Sequence, residues 1–213
     1  MNCSKENLLL YAVTDRTWLG EKTLAWQVEQ ALEGGVTMVQ IREKHLSPEA
    51  FSTQARELKT LCRRFGVPLI VNDNVDLALE LNADGVHVGQ EDLEASQARA
   101  KLGPNRILGV SAHTVEQALR AQSAGADYLG VGAVFPTGTK SDASVLPFQT
   151  LKAICTAVDI PAVAIGGISA QNIHQLAGSG ICGVAVVSAL FAQPDIRAAA
   201  AHLRTLCQNT ILL

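Results

Sequence analysis

Asn82-Ala83-Asp84-Gly85-Val86 closes one amphipathic segment and opens an apolar one. The same junction returns as Gly34-Gly35-Val36-Thr37-Met38, as Gly125-Ala126-Asp127-Tyr128 and as Gly180-Ile181-Cys182-Gly183-Val184. Each puts glycine or asparagine at a helix end, where a left-handed residue is often needed, and starts a strand a few residues later. Four recurrences point to one repeated βα unit. Strands joined in this way run parallel, with right-handed crossovers.

Working outward, eight short apolar runs read as strands: residues 8–13, 38–41, 69–71, 85–88, 107–110, 128–131, 162–165 and 184–187. Eight helical patterns follow them, at 23–33, 48–65, 75–81, 93–101, 115–123, 148–157, 170–179 and 194–206. Ser47-Pro48 is a helix cap followed by proline at the first helical position, and residues 72–74 can cap the next helix. Eight βα units predict a closed, parallel (β/α)8 TIM barrel rather than an open doubly wound sheet. The 213 residues, without a linker or composition break, suit one domain spanning 1–213. Hydrophobic residues make up 48% and aromatics only 4%, the aliphatic composition of a parallel sheet covered by helices.

Composition also excludes several roles. With 17 basic and 20 acidic residues and no basic patch, nucleic acid is not an expected partner. Attraction for an anion must come from local focusing in a cleft. The five cysteines are scattered and lack C-x-x-C spacing, which argues against a zinc site or a disulfide framework. Cys155 and Cys182 sit in apolar runs and read as inert core residues. No run of about 20 apolar residues exists to span a membrane. The reduced-thiol pattern and the lack of a signal-type N-terminus predict a cytoplasmic location. Oligomeric state stays open, and a homo-oligomer is compatible with the sequence.

In such barrels chemistry sits at the C-terminal ends of the strands. Val39-Gln-Ile-Arg-Glu-Lys44 reads as one such end, with Gln40, Arg42 and Lys44 on one face. Two cations side by side have no structural use in a buried strand, but they would line an anion pocket. The same rim carries Thr14-Asp15, Asn72-Asp73, Gln90-Glu91-Asp92, Ser111, His113, Thr137-Gly138-Thr139-Lys140, Gly166-Gly167 and Ser188. Asp73 and Asp92 follow adjacent strands and together suit Mg²⁺, which takes one or two carboxylates and fills its shell with water and phosphate oxygens. Asp73 alone reads equally as a helix cap, and the pattern does not choose between Asp92 and Glu91. Gly166-Gly167 and Val187-Ser188 end the seventh and eighth runs, where this fold commonly binds phosphate. Two phosphate-type sites emerge. Gln40, Arg42, Lys44, Lys140 and a metal suit a pyrophosphate; Gly167, Ser188 and the threonine loop suit a monophosphate. His113 is either an acid–base group or a loop-orienting one, and His87 reads as inward packing.

These residues fall in motifs that resemble the thiamine phosphate synthase (thiamine-phosphate pyrophosphorylase) family over nearly the whole chain. They are Tyr11-Ala-Val-Thr-Asp15, Val39-Gln-Ile-Arg-Glu-Lys44, Ile70-Val-Asn-Asp73 and Ala83-Asp-Gly-Val-His-Val-Gly-Gln-Glu-Asp92. Gly109-Val-Ser-Ala-His-Thr114, Ala126-Asp-Tyr-Leu-Gly-Val-Gly132, Thr137-Gly-Thr-Lys140 and Ala164-Ile-Gly-Gly-Ile168 complete the set. The resemblance implies condensation of a hydroxymethylpyrimidine diphosphate with a thiazole phosphate, releasing pyrophosphate by a dissociative route. It implies that Gln40, Arg42, Lys44, Asn72, Ser111 and Lys140 hold the pyrimidine diphosphate, with Ile41 and Glu43 in the same strand end. Arg42, Lys44, Ser111 and Lys140 would stabilise the departing pyrophosphate, and Asp73 and Asp92 would hold Mg²⁺. Thr137, Gly138, Thr139, Gly167, Val187 and Ser188 would hold the thiazole phosphate. A thiazole tautomerase relative, or a non-catalytic barrel binding one phosphorylated ligand, has no need of both sites. Residues 137–143 are the expected moving element.

Overall fold

Side chains start the helices as the pattern asks. In the computed structural model, which describes residues 3–43, 46–89, 94–138 and 144–211, Ser47 accepts the Ala50 backbone N–H and Pro48 opens α2 (Pro48–Phe65). Thr23, Asn74 and Thr114 cap α1 (Leu24–Glu33), α3 (Val75–Glu80) and α5 (Val115–Ser123) in the same manner. Each such cap contributes about 1 kcal/mol. The other helices are α4 (Ala95–Leu102), α6 (Phe148–Ala157), α7 (Ser188–Phe191) and α8 (Ile196–Ile211).

The strands are β1 (Leu10–Val13), β2 (Met38–Ile41), β3 (Leu69–Asn72), β4 (Gly85–Val88), β5 (Ile107–Ala112), β6 (Tyr128–Gly132), β7 (Ala162–Ile165) and β8 (Gly183–Val186). They pair in sequence order, all parallel, and β8 closes on β1 through Tyr11 and Ala185. Alternation along each strand divides the core into two layers. Leu10, Ala12, Val39 and Ile41 pack outward with helix residues such as Val28, Leu32 and Leu58. Tyr11, Val13, Met38, Ile70, Ile107, Tyr128 and Val163 fill the barrel interior.

The four recurrent junctions clamp the rim opposite the candidate site. Thr37 donates its N–H to the Leu10 carbonyl and accepts the Leu10 N–H at its hydroxyl, 2.9 Å in each case. Asp84 does the same to Leu69, and Asp127 to Leu108, through a carboxylate oxygen. Cys182 donates both its N–H and its thiol to the Ala162 carbonyl. The clamps join β1 to β2, β3 to β4, β5 to β6 and β7 to β8. The recurrence therefore has a period of two βα units instead of one.

Several element expectations need correction. Residues 170–179 form only a single 3₁₀ turn, Ile173–Leu176, in place of a full helix. The Asn172 side chain accepts the Ser169 N–H and donates to the Gly167 carbonyl, so it serves the preceding loop and competes with a helix start. Gly178 and Gly180, both at positive φ, end the segment. The short α7, which had no counterpart in the pattern, begins directly at Ser188. Strands β3 and β5 also run further than their apolar runs, taking in Asn72 and Ser111.

Candidate active site

Gln40 is 5% exposed and points into the barrel, where its Nε2 donates to the Tyr11 hydroxyl at 2.7 Å. The Tyr11 and Tyr128 hydroxyls lie 2.9 Å apart, with the two rings edge to face. Tyr128 meets His87 Nδ1 at 3.0 Å, and His87 Nε2 meets Ser111 Oγ at 3.0 Å. Five side chains from β1, β2, β4, β5 and β6 thus form one hydrogen-bonded chain across the barrel, ending in Gln40 and Ser111. Burial pushes both phenols well above their ordinary range.

Arg42 stands beyond the end of β2, so strand alternation does not carry the expected common face past Ile41. Thr14 holds it instead: the Thr14 hydroxyl accepts the Arg42 N–H at 3.0 Å and lies 3.5 Å from the Arg42 carbonyl. Glu43 turns its carboxylate to Arg16 at 3.7 Å, with 3% of its side chain exposed. The Ile41 side chain lies in the outer layer, so only its backbone faces the rim. Lys44 falls outside the described residues.

Asp73 sits just after β3 at φ +60, and its N–H donates to the His87 carbonyl at 2.8 Å. The capping alternative fails, because Asn74 caps α3. The Asn72 amide donates to the Asp73 carboxylate at 2.5 Å. A left-handed conformation is tolerated by aspartate at a cost of roughly 1–2 kcal/mol, and here it exposes a hard oxygen donor at the strand end. Asp92, Glu91 and Gln90 lie outside the described residues. Among the described residues there is no cluster of three His, Cys, Asp or Glu able to hold a metal.

The loops after β6 and β7 are strapped together. Val134 and Phe135 donate backbone N–H groups to the Ile165 and Gly166 carbonyls. Gly167 has φ +65, and a Cβ there would stand 2.4 Å from the Pro136 carbonyl oxygen. Glycine is therefore required at this close approach, which sets Gly167 beside the residues leading to Thr137 and Gly138. A Cβ on Gly138 would meet nothing within 4 Å. Val187 precedes the first turn of α7, which Ser188 begins. Thr139 and Lys140 fall outside the described residues, as does most of the expected moving element 137–143.

His113 Nδ1 donates to the Gly132 carbonyl at 2.6 Å, and its N–H donates to the Gln117 side chain. These contacts favour the loop-orienting reading. Burial raises the thiols of Cys62, Cys182 and Cys207 to about 12 and that of Cys155 to about 11. Such thiols stay protonated near neutrality and are poor nucleophiles. Sequence reasoning quoted Tyr11 and Tyr128 without giving them a role. A signal was present: they are the chain's 2 tyrosines, both inside aliphatic strands, where a buried phenol needs a partner.

The model of the family described as thiamine monophosphate synthase matches residues 10–190. A thiamine-phosphate synthase of Ruminiclostridium cellulolyticum is 50% identical over 206 residues, covering 97% of this chain and 98% of its own. One of Clostridium tetani is 48% identical over 194 residues, covering 91% and 93%. A solved thiamine phosphate pyrophosphorylase from Pyrococcus furiosus superposes with a TM-score of 0.89 at 39% identity, covering 97% of this chain and 98% of that one.

Proposed function

Because the chain belongs to the thiamine monophosphate synthase family, we propose that it condenses a 4-amino-2-methyl-5-hydroxymethylpyrimidine diphosphate with a thiazole phosphate. The products are thiamine phosphate and pyrophosphate, which makes the protein a transferase of a pyrimidinylmethyl group. The thiazole substrate is hydroxyethylthiazole phosphate or its carboxylated form. The observation that supports the site assignment most is the hydrogen-bonded chain ending in Gln40 and Ser111. It links side chains of β2 and β5 across the barrel interior, and two residues past Gln40 the backbone of Arg42 is fixed by Thr14.

Pyrophosphate leaves the pyrimidine methylene carbon, and the electron-rich ring stabilises the cation that remains. Charge grows on the bridging oxygen of the leaving group. Arg42, Lys44, Ser111 and Lys140 oppose it, and preorganised donors of this kind are each worth roughly 3–4 kcal/mol. Asn72 orients the Asp73 carboxylate. The carboxylates of Asp73 and Asp92 fit a hard cation, and Mg²⁺ held there would supply charge neutralisation on the diphosphate oxygens. Gly167, Ser188, Val187, Thr137, Gly138 and Thr139 take the thiazole phosphate. They hold the thiazole nitrogen in line with the methylene carbon, a matter of positioning that needs no general base.

The working unit is one barrel domain over 1–213, in the cytoplasm, acting on small molecules alone or as a homo-oligomer. No helix among the described residues is long and apolar enough to cross a membrane. The test is thiamine phosphate formation by the purified protein from both substrates and Mg²⁺, with and without EDTA, for the wild type and for Asp73→Asn. Metal-dependent product, lowered at least about 100-fold by Asp73→Asn with the fold retained, is the expected outcome. No product from folded protein would favour a tautomerase or a binding barrel, and a near-wild-type Asp73→Asn rate would sink the metal assignment.

A further inference from the structure

The buried chain of side chains has a direction. Gln40 Nε2 donates to the Tyr11 hydroxyl. The Tyr11 and Tyr128 hydroxyls are 2.9 Å apart and either can donate; with the Gln40 amide already donating to Tyr11, the one-way arrangement has Tyr11 sending its hydrogen to the Tyr128 oxygen. Tyr128 in turn sends its hydrogen to His87 Nδ1. An imidazole nitrogen that accepts carries no proton, so the neutral ring is protonated at Nε2 and donates to Ser111 Oγ. The Ser111 hydrogen is then directed away from His87.

We propose that Tyr11, Tyr128 and His87 are positioning residues that tie the Ser111 hydroxyl to the facing of the Gln40 amide and, with that amide donating to Tyr11, make the hydroxyl a donor. This rests on the reading that Gln40 and Ser111 hold the pyrimidine diphosphate. A donor there meets the oxygen on which negative charge develops, whereas a hydroxyl spent on His87 would offer only lone pairs to an anion. Flipping the Gln40 amide reverses every bond in the chain and removes that donor. The Gln40 amide and the Ser111 hydrogen, on two different strands, are therefore one coupled setting. Close packing holds the rings within hydrogen-bond reach of one another: a Cβ on Gly109 would stand 2.2 Å from the Tyr128 ring, and one on Gly130 would stand 3.0 Å from His87.

Two measurements test this. Long-range ¹H–¹⁵N correlation of histidine-labelled intact protein reads the ring directly. A His87 protonated at Nε2 with a bare Nδ1 supports the proposal, and the opposite tautomer overturns it. Single-turnover kinetics supply the functional arm. Tyr128→Phe should lower the rate of pyrophosphate loss about tenfold, with the KM for the pyrimidine diphosphate within about twofold of wild type. In a Gln40→Ala, Ser111→Ala background the same change should cost nothing further, because its targets are gone. A purely structural role predicts that the losses multiply, and this would overturn the proposal. Ser111→Ala at the wild-type rate would reject the site assignment itself. A slow Ser111→Ala beside an unaffected Tyr128→Phe would reject only the positioning role.

Discussion

Thr14 is 1% exposed, and its hydroxyl meets Arg42 at both the N–H and the carbonyl. Thr14→Val keeps the shape and removes the bond. A net hydrogen bond of about 1 kcal/mol implies a Tm lowered by roughly 2–4 °C in a chain of this size. Turnover should fall further, about tenfold, because the guanidinium loses its placement. Thermal melts beside steady-state assays check this, and equal small losses in both would deny Thr14 a positioning role. At this scale the sequence was legible in part. It named the residues of the rim because they follow the apolar runs, where this fold puts its chemistry, and because two cations near Gln40 have no use in a buried strand. It could not place Arg42, because β2 ends at Ile41 and alternation stops with it. It left Asp73 open between cap and ligand, and the capping place is taken by the neighbouring Asn74.

The element scale carries the division between stability and chemistry. Asp127 accepts the Leu108 N–H and Arg99 on one carboxylate oxygen, with side chains only 22% and 19% exposed. Asp127→Ala would leave a guanidinium and a strand N–H short of a partner, at a cost of about 2–4 kcal/mol. Thr37→Val, which loses a neutral hydroxyl at the equivalent clamp, should cost about 1 kcal/mol. Denaturant titration ranks the two, and the order reversed would contradict the clamp reading. Gly167→Ala acts at the other rim. The left-handed backbone and the Pro136 carbonyl together predict a loss of roughly 1–3 kcal/mol and a raised KM for the thiazole phosphate, with the pyrimidine diphosphate KM little changed. All eight strands were legible as apolar runs, and the helices with side-chain caps were readable almost to the residue. The span 170–179 misled because its amphipathic pattern is intact while Asn172 is already engaged by the glycine loop.

For the molecule as a whole, burial of ionisable groups sets a pH limit. Cys62 and Cys207 shift from 9.0 to about 12 on folding, mainly through desolvation. The unfolded chain therefore releases these protons first as pH rises. Their contribution is intact below about pH 9 and is lost progressively above it, at about 1.4 kcal/mol per pH unit for each group. Tyr11 and Tyr128, raised in the same direction, add to the loss above about pH 10. Urea titrations at pH 8 and pH 10.5 should show a marked drop in unfolding free energy, smaller in a Cys62→Ala, Cys207→Ala background. A pH-independent midpoint would contradict the burial of these groups. The two-layer core has an optical consequence as well. Both tyrosines lie inside the barrel, while Trp18 packs on the outer layer and Trp26 is 39% exposed. The two chromophore classes are sorted by layer, so near-ultraviolet circular dichroism in the tyrosine band reports the barrel interior, and tryptophan fluorescence reports the helical shell, without any introduced label.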